Sequence, residues 1–114
     1  NMETYHVIQT LSALAQETRL AIFRELVQAH SPCGDQTGLA AGELSERLGI
    51  PSPTLSFHLK EMSRAHLLTR RRQGRSIIYC ADLGAVRSLV GYLLEDCCGG
   101  QCGVTLSNLK EIQP

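Results

Sequence analysis

Apolar residues recur at intervals of three and four along five stretches of the chain, separated by segments rich in Gly, Pro, Ser and Asp. Val7, Ile8, Leu11, Leu14 and Ala15 share one helical face, and Leu20, Phe23 and Val27, widened by Ile22 and Leu26, share a second. The segment Ser31-Pro32-Cys33-Gly34-Asp35-Gln36-Thr37-Gly38 breaks the pattern and predicts an exposed loop. Glu43–Leu48 predicts a short helix stopped by Gly49, because glycine suits the left-handed position just past a helix end. After the tight connection Ile50-Pro51 a further helix opens at Ser52, read as its N-cap, with Pro53 in the first turn where no amide donor is needed. Its buried stripe is Leu55, Leu59 and Met62. Leu67–Arg72 and Ser76–Ala81 predict two strands around Gln73-Gly74-Arg75, a hairpin with glycine where positive φ is wanted. Leu83, Val86, Leu89, Val90, Leu93 and Leu94 predict a last helix that ends at Glu95-Asp96. A short helix, a tight turn and a capped second helix make a helix-turn-helix, and the hairpin behind it makes a wing. The fold class is therefore mostly α with a small β-hairpin.

Length adds that 114 residues, 43% of them hydrophobic and 19% charged, suffice for one core and not for two. Residues 1–96 read as the winged helix-turn-helix and dimerisation domain, and residues 97–114 as a cysteine-containing tail. No apolar run approaches the roughly 18 residues of a membrane span, and Asn1–His6 has neither the basic nor the apolar region of a signal peptide. A cytoplasmic protein without membrane contact is expected. The first and last helices carry more apolar surface than so small a core needs, and a homodimer formed through them would use it. Two-fold symmetry would set a pair of recognition helices about 34 Å apart, one turn of DNA.

The charge balance changes the picture. Lys and Arg together equal Asp and Glu in number, yet Ser52–Ala81 holds Lys60, Arg64, Arg70, Arg71, Arg72 and Arg75 against the single acid Glu61. A basic module on an acidic body points to double-stranded DNA as partner. On the helix that buries Leu55, Leu59 and Met62, the opposite face near the start carries Ser52, Thr54, Ser56, Phe57 and Lys60. Short hydroxyls bond base edges or phosphates, an apolar ring meets a thymine methyl, and Lys60 reaches guanine or phosphate. His58 sits at an intermediate position and reads as a packed, hydrogen-bonded residue. Arg70, Arg71, Arg72 and Arg75 repel one another unless a polyanion joins them, so the wing is assigned to phosphate or minor-groove contact.

With these elements in place, the chain from Leu11 to Leu94 resembles the ArsR/SmtB family of winged-helix metal- and metalloid-responsive repressors. The resemblance rests on Leu14-Ala15-Gln16-Glu17-Thr18-Arg19-Leu20, Glu43-Leu44-Ser45-Glu46-Arg47-Leu48-Gly49, Pro53-Thr54-Leu55-Ser56-Phe57-His58-Leu59, and Leu67-Leu68 through Arg72-Gln73-Gly74-Arg75 to Ile78-Tyr79. It implies a homodimer that holds operator DNA and releases it on binding its ligand, with no enzymatic activity. The family's arsenic site, a Cys-x-Cys in the first helix of the helix-turn-helix, would fall near Ser45–Arg47, where there is no cysteine. Its zinc site would fall at Leu83, Ala85, Asp96 and Gly99, which are not a zinc ligand set.

There remain the cysteines, five in number and so a poor disulfide framework. Cys97, Cys98 and Cys102 place three thiols within six residues, beside Gly99, Gly100 and Gly103. Thiolates select soft ions, and a three-thiol set completes the pyramid of As(III), or of Sb(III), while falling one short of tetrahedral Zn(II). As(III) is the expected inducer ligand, and no organic cofactor is expected. Cys33 and Cys80 read as loop and strand residues outside the site. The alternatives are a thiol-redox-responsive or zinc-responsive repressor of the same fold. A thiol oxidoreductase would want a Cys-x-x-Cys after a strand, which the chain lacks, and a metal-storage protein would have no use for the basic wing.

Overall fold

Within residues 3–30 and 37–95, which the computed structural model describes, the chain forms α1 (Thr4–Leu14), α2 (Glu17–Gln28), β1 (Leu39–Ala40), α3 (Ala41–Leu48), α4 (Ser52–Arg64), β2 (Leu68–Gln73), β3 (Ser76–Ala81) and α5 (Leu83–Leu93). All five expected helices and both hairpin strands are present. Leu55, Leu59 and Met62 are buried as their spacing predicts, and they meet Ile22, Phe23 and Leu26 of α2, Leu44 of α3, and Leu67, Leu68 and Ala81 at the sheet. Each such aliphatic side chain withdrawn from water contributes about 1.5–3 kcal/mol, so this cluster fixes how α4 sits on the body.

Four local expectations are corrected. On α2, Leu20 (46% exposed) and Val27 (38%) lie outside, while Ile22, Phe23 and Leu26 are buried. At about 100° per residue Ile22, Phe23 and Leu26 share one narrow arc, from which Leu20 and Val27 stand roughly a quarter turn away. Ser52 is not the N-cap of α4: Pro51 occupies that place in extended geometry, Ser52 and Pro53 are already helical, and no side chain caps the end. The hairpin turn is two residues, Gly74-Arg75, since Gln73 pairs with Ser76. Positive φ at the first loop position alone, Gly74 at 64°, is the requirement of a type II′ turn.

The fourth correction concerns Thr37-Gly38, which are half-buried rather than exposed, and which lead into a strand that the sequence pattern does not reveal. β1 pairs antiparallel with β3, Leu39 opposite Tyr79 and Ala40 opposite Ile78, giving a three-stranded sheet in the order β1-β3-β2. Gly38 has φ 99°, and a Cβ there would lie 2.6 Å from both the Tyr79 carbonyl oxygen and Cys80 Sγ, so only glycine lets the chain pass this close to β3. α3 then starts with the Glu43 carboxylate accepting from the Ala40 amide at 2.9 Å. α1 and α5 pack together, joined by Thr4 Oγ1 and Tyr92 OH at 2.8 Å, and leave Tyr5, Ile8, Leu11 and Leu93 on the surface.

Candidate nucleic-acid interface

The turn between α3 and α4 is held by its own residues. Gly49 takes φ 66° and its amide donates to the Ser45 carbonyl at 2.9 Å, while Ser45 Oγ donates to the Ile50 carbonyl at 2.6 Å. Arg47 pairs with Glu25 at 3.1 Å, linking α3 to α2. With its inner face buried, α4 presents Ser52, Thr54, Ser56, Phe57 and Lys60 outward, and all five are exposed. The residues expected to read DNA from this helix therefore do share one accessible surface, with Phe57 the apolar member at 56% exposure.

His58 lies on the other side of α4, buried. Its Nδ1 accepts from Arg19 Nε of α2 at 3.0 Å, so the neutral ring carries its proton on Nε2. Burial, with the Arg19 charge adding to it, holds the imidazole below the ordinary histidine range. The Arg19 guanidinium also lies 5.9 Å from the centre of the Phe57 ring, and the Phe57 and His58 rings meet edge-on at 5.8 Å. Arg19 is missing from the residues singled out from sequence. The signal was available: Arg19 lies on the arc of Ile22, Phe23 and Leu26, and a cation on a buried stripe needs a partner on the facing helix.

The wing separates its arginines by strand parity. Arg70 and Arg72 occupy one face of β2, opposite Tyr79 and Ile77 respectively, and both are exposed, as is Arg75 in the turn. Arg71 points the other way and is half-buried. Its Nη1 donates to the Thr37 carbonyl at 2.7 Å and lies 3.4 Å from Cys80 Sγ, and its Nη2 donates to Gln73 Oε1 at 3.2 Å. The arginine assigned from sequence to a polyanion is thus engaged within the protein, fastening the wing to the segment before β1. Between α4 and the sheet runs a groove of about 490 Å³ walled by Ser56, Lys60, Ser63, Arg64, Arg70 and Tyr79, with Leu59 at its base. It holds three cations and no acid on its walls. Lys60 and Arg64 were legible as partners from their i, i+4 spacing. Arg64 meanwhile contacts Glu61 at 3.2 Å on the exposed side of the helix.

Cys97, Cys98, Cys102 and Cys33 lie outside the described residues. Cys80 is half-buried against Thr37 and Arg71, as a packing residue. Among the described residues no three His, Cys, Asp or Glu side chains are grouped so as to hold a metal ion, and no helix is long and apolar enough to cross a membrane.

Residues 14–71 match the family model described as a helix-turn-helix domain. The chain is 31% identical over 84 residues to the HTH-type transcriptional regulator KmtR of Mycobacterium tuberculosis, an overlap covering 74% of this chain and 58% of that protein. The chain belongs to the ArsR/SmtB family of winged-helix proteins. Among solved structures this family member is similar to HlyU from Vibrio cholerae, with TM-score 0.63, 28% identity, and coverage of 85% of this chain and 99% of that one. It also shares the fold of an ArsR-like transcriptional regulator from Rhodococcus, with TM-score 0.67 and 24% identity over 78% of this chain and 76% of that one. The ArsR/SmtB chain spans about three fifths of the length of KmtR. The family is one of DNA-binding, non-enzymatic proteins.

Proposed function

We propose that this chain is an operator-binding transcriptional repressor that acts as a homodimer and is released from double-stranded DNA by As(III), or Sb(III), at Cys97, Cys98 and Cys102. The observation that carries the DNA half is the groove that brings Ser56, Lys60 and Arg64 of α4 together with Arg70 of the wing, with Ser52, Thr54 and Phe57 exposed on α4 and Arg72 and Arg75 exposed on the wing. α4 enters the major groove, where the hydroxyls and Lys60 meet base edges or phosphates and Phe57 meets a thymine methyl. The wing tip reaches the neighbouring minor groove. Two adjacent grooves of a duplex share one phosphate strand, which must then pass between helix and wing, along the basic groove.

The dimer half rests on Tyr5, Ile8, Leu11 and Leu93, large apolar side chains left uncovered on the two terminal helices. The arsenic half rests on the chemistry of the three closely spaced thiols, together with the lack of a competing ligand group among the described residues. As(III) supplies a soft centre that three thiolates can enclose. Because α5 leads directly into this segment, drawing the thiols together biases the end of the dimer helix. A coupling of about 1–3 kcal/mol, or 5- to 150-fold in operator affinity, is the usual size of such linkage.

Fluorescence anisotropy of a labelled palindromic operator fragment with reduced protein, titrated with arsenite, antimonite, zinc and peroxide in turn, tests the whole reading. Release by stoichiometric arsenite or antimonite, abolished by replacing Cys97, Cys98 or Cys102 with Ser while DNA binding persists, is the expected result. Release by zinc or peroxide alone overturns the metalloid half and leaves the DNA half standing.

A further inference from the structure

We propose that Arg19, on α2 and outside the helix-turn-helix, is a positioning residue that holds the Phe57 ring where it meets a thymine methyl group, and thereby shapes the base preference of α4. The inference rests on the reading of α4 as the recognition helix.

Phe57 is more than half exposed, and an aromatic side chain in that position ordinarily retains rotamer freedom that binding must remove. Here two planar groups flank it. The Arg19 guanidinium stands 5.9 Å from the ring centroid, within the range of a cation–π contact, and the His58 imidazole packs edge-on with the ring centroids 5.8 Å apart and 63° between planes. Both neighbours are themselves fixed. His58 is buried on the body side of α4. Arg19 donates through Nε to His58 Nδ1 at 3.0 Å, and its backbone amide donates to Gln16 Oε1 at 2.8 Å in the first turn of α2. A rigid path therefore runs from the start of α2 through guanidinium and imidazole to a ring on the outer face of α4.

A methyl contact demands such support, because two apolar groups must approach within about 4.5 Å to exclude water. A ring free to sample several rotamers spreads that contact over all of them and reads the methyl weakly. The arrangement also requires arginine. One planar group supplies both an N–H for His58 and a cationic partner for Phe57, whereas lysine offers a point charge without that geometry.

The test uses the full chain and a duplex site selected by it from a random pool. Each thymine is replaced symmetrically by deoxyuridine, which removes only the methyl group. For the wild type, one thymine in each half-site is expected to lose about fourfold in affinity per methyl, the worth of one buried methyl-sized group. Arg19→Lys is expected to shrink that factor below about twofold, with cooperative unfolding and the salt dependence of binding retained. On a Phe57→Leu background, where there is no ring to hold, Arg19→Lys is expected to leave the methyl response unchanged. His58→Leu, which removes the acceptor for Arg19, should lose the methyl factor as Arg19→Lys does, and it serves as the readout should Arg19→Lys fail to fold.

Retention of the full factor in both Arg19→Lys and His58→Leu overturns the proposal. So does an equal loss toward thymine and deoxyuridine duplexes with a shallower salt slope, which would make Arg19 a phosphate contact. If no thymine methyl matters to the wild type, this inference fails alone, provided Ser56→Ala or Lys60→Ala still alters preference at other bases. A chain that binds no duplex overturns the reading of α4 itself.

Discussion

α4 and the β2–β3 wing carry the two halves of the same basic surface, yet they present their side chains by different means. α4 is anchored by Leu55, Leu59 and Met62, each no more than 2% exposed, so its outward face is placed by burial beneath it. The wing has a buried root at Leu68 and Ala81 and an exposed tip, and its outward face is placed by strand parity and by the Arg71 link to the segment before β1. Rigidity comes from packing in the first case and from directed polar contacts in the second. Damage to the core should therefore reach both halves, while damage to the polar link should reach the wing alone.

The largest expected effect tests the first arm. Leu59→Ala leaves a cavity under α4 and is expected to lower unfolding free energy by about 2–5 kcal/mol, measured by urea denaturation. Gly38→Ala comes next, since it combines a positive-φ penalty with a clash against the Tyr79 carbonyl. A loss of about 2–3 kcal/mol is expected, with amide exchange accelerated in β1 and β3 more than in α4. A uniform rise in exchange over both regions would break the distinction. Arg71→Ala removes a charge-assisted bond to a backbone carbonyl, and a cost of about 1–2 kcal/mol is expected in thermal unfolding. Arg72→Ala, one residue away, is expected to change stability by less than about 0.5 kcal/mol while lowering the slope of log affinity against log salt by about 0.9. The reverse ranking of these two arginines would refute the parity argument.

The smallest effect concerns pH and the helix half alone. Folding holds His58 below its ordinary titration range, so the unfolded chain takes up the proton more readily. The resulting stability is complete above the unfolded value of about 6.5 and is lost as pH falls through it toward the lower folded value. Urea midpoints are expected to drop as pH falls below about 6.5, and His58→Gln, which keeps an acceptor for Arg19, should flatten that drop. A wild-type curve that is flat over this window would contradict the linkage.

How much of this was legible follows from which physical signals are local. The Leu55-Leu59-Met62 stripe, Gly49 as helix stop and Gly74 as hairpin turn all report local periodicity or backbone sign, and all are found. The outward set on α4 followed as the complement of the buried stripe. Most of what escaped depends on partners distant in sequence. β1 is two residues long and exists because β3 offers it an edge, and nothing in Leu39-Ala40 announces a partner forty residues on. Ser52 looked like an N-cap by residue type, but Pro51 ahead of it already has extended geometry and takes that place. Arg19 and Arg71 are both cations whose counterparts, His58 and the Thr37 carbonyl, sit on other elements.

Three identical residues in a row at 70, 71 and 72 would be under unlike selective pressures, because the pleat sends them to different neighbours. At 72 any long cation able to reach a phosphate would serve, and exchange to lysine should be tolerated. At 71 the side chain must address a carbonyl and an amide oxygen from two nitrogens of one plane, which lysine cannot do. Related chains should therefore drift between arginine and lysine at 72 while keeping arginine at 71, and a single-residue insertion in β2 would exchange the two constraints.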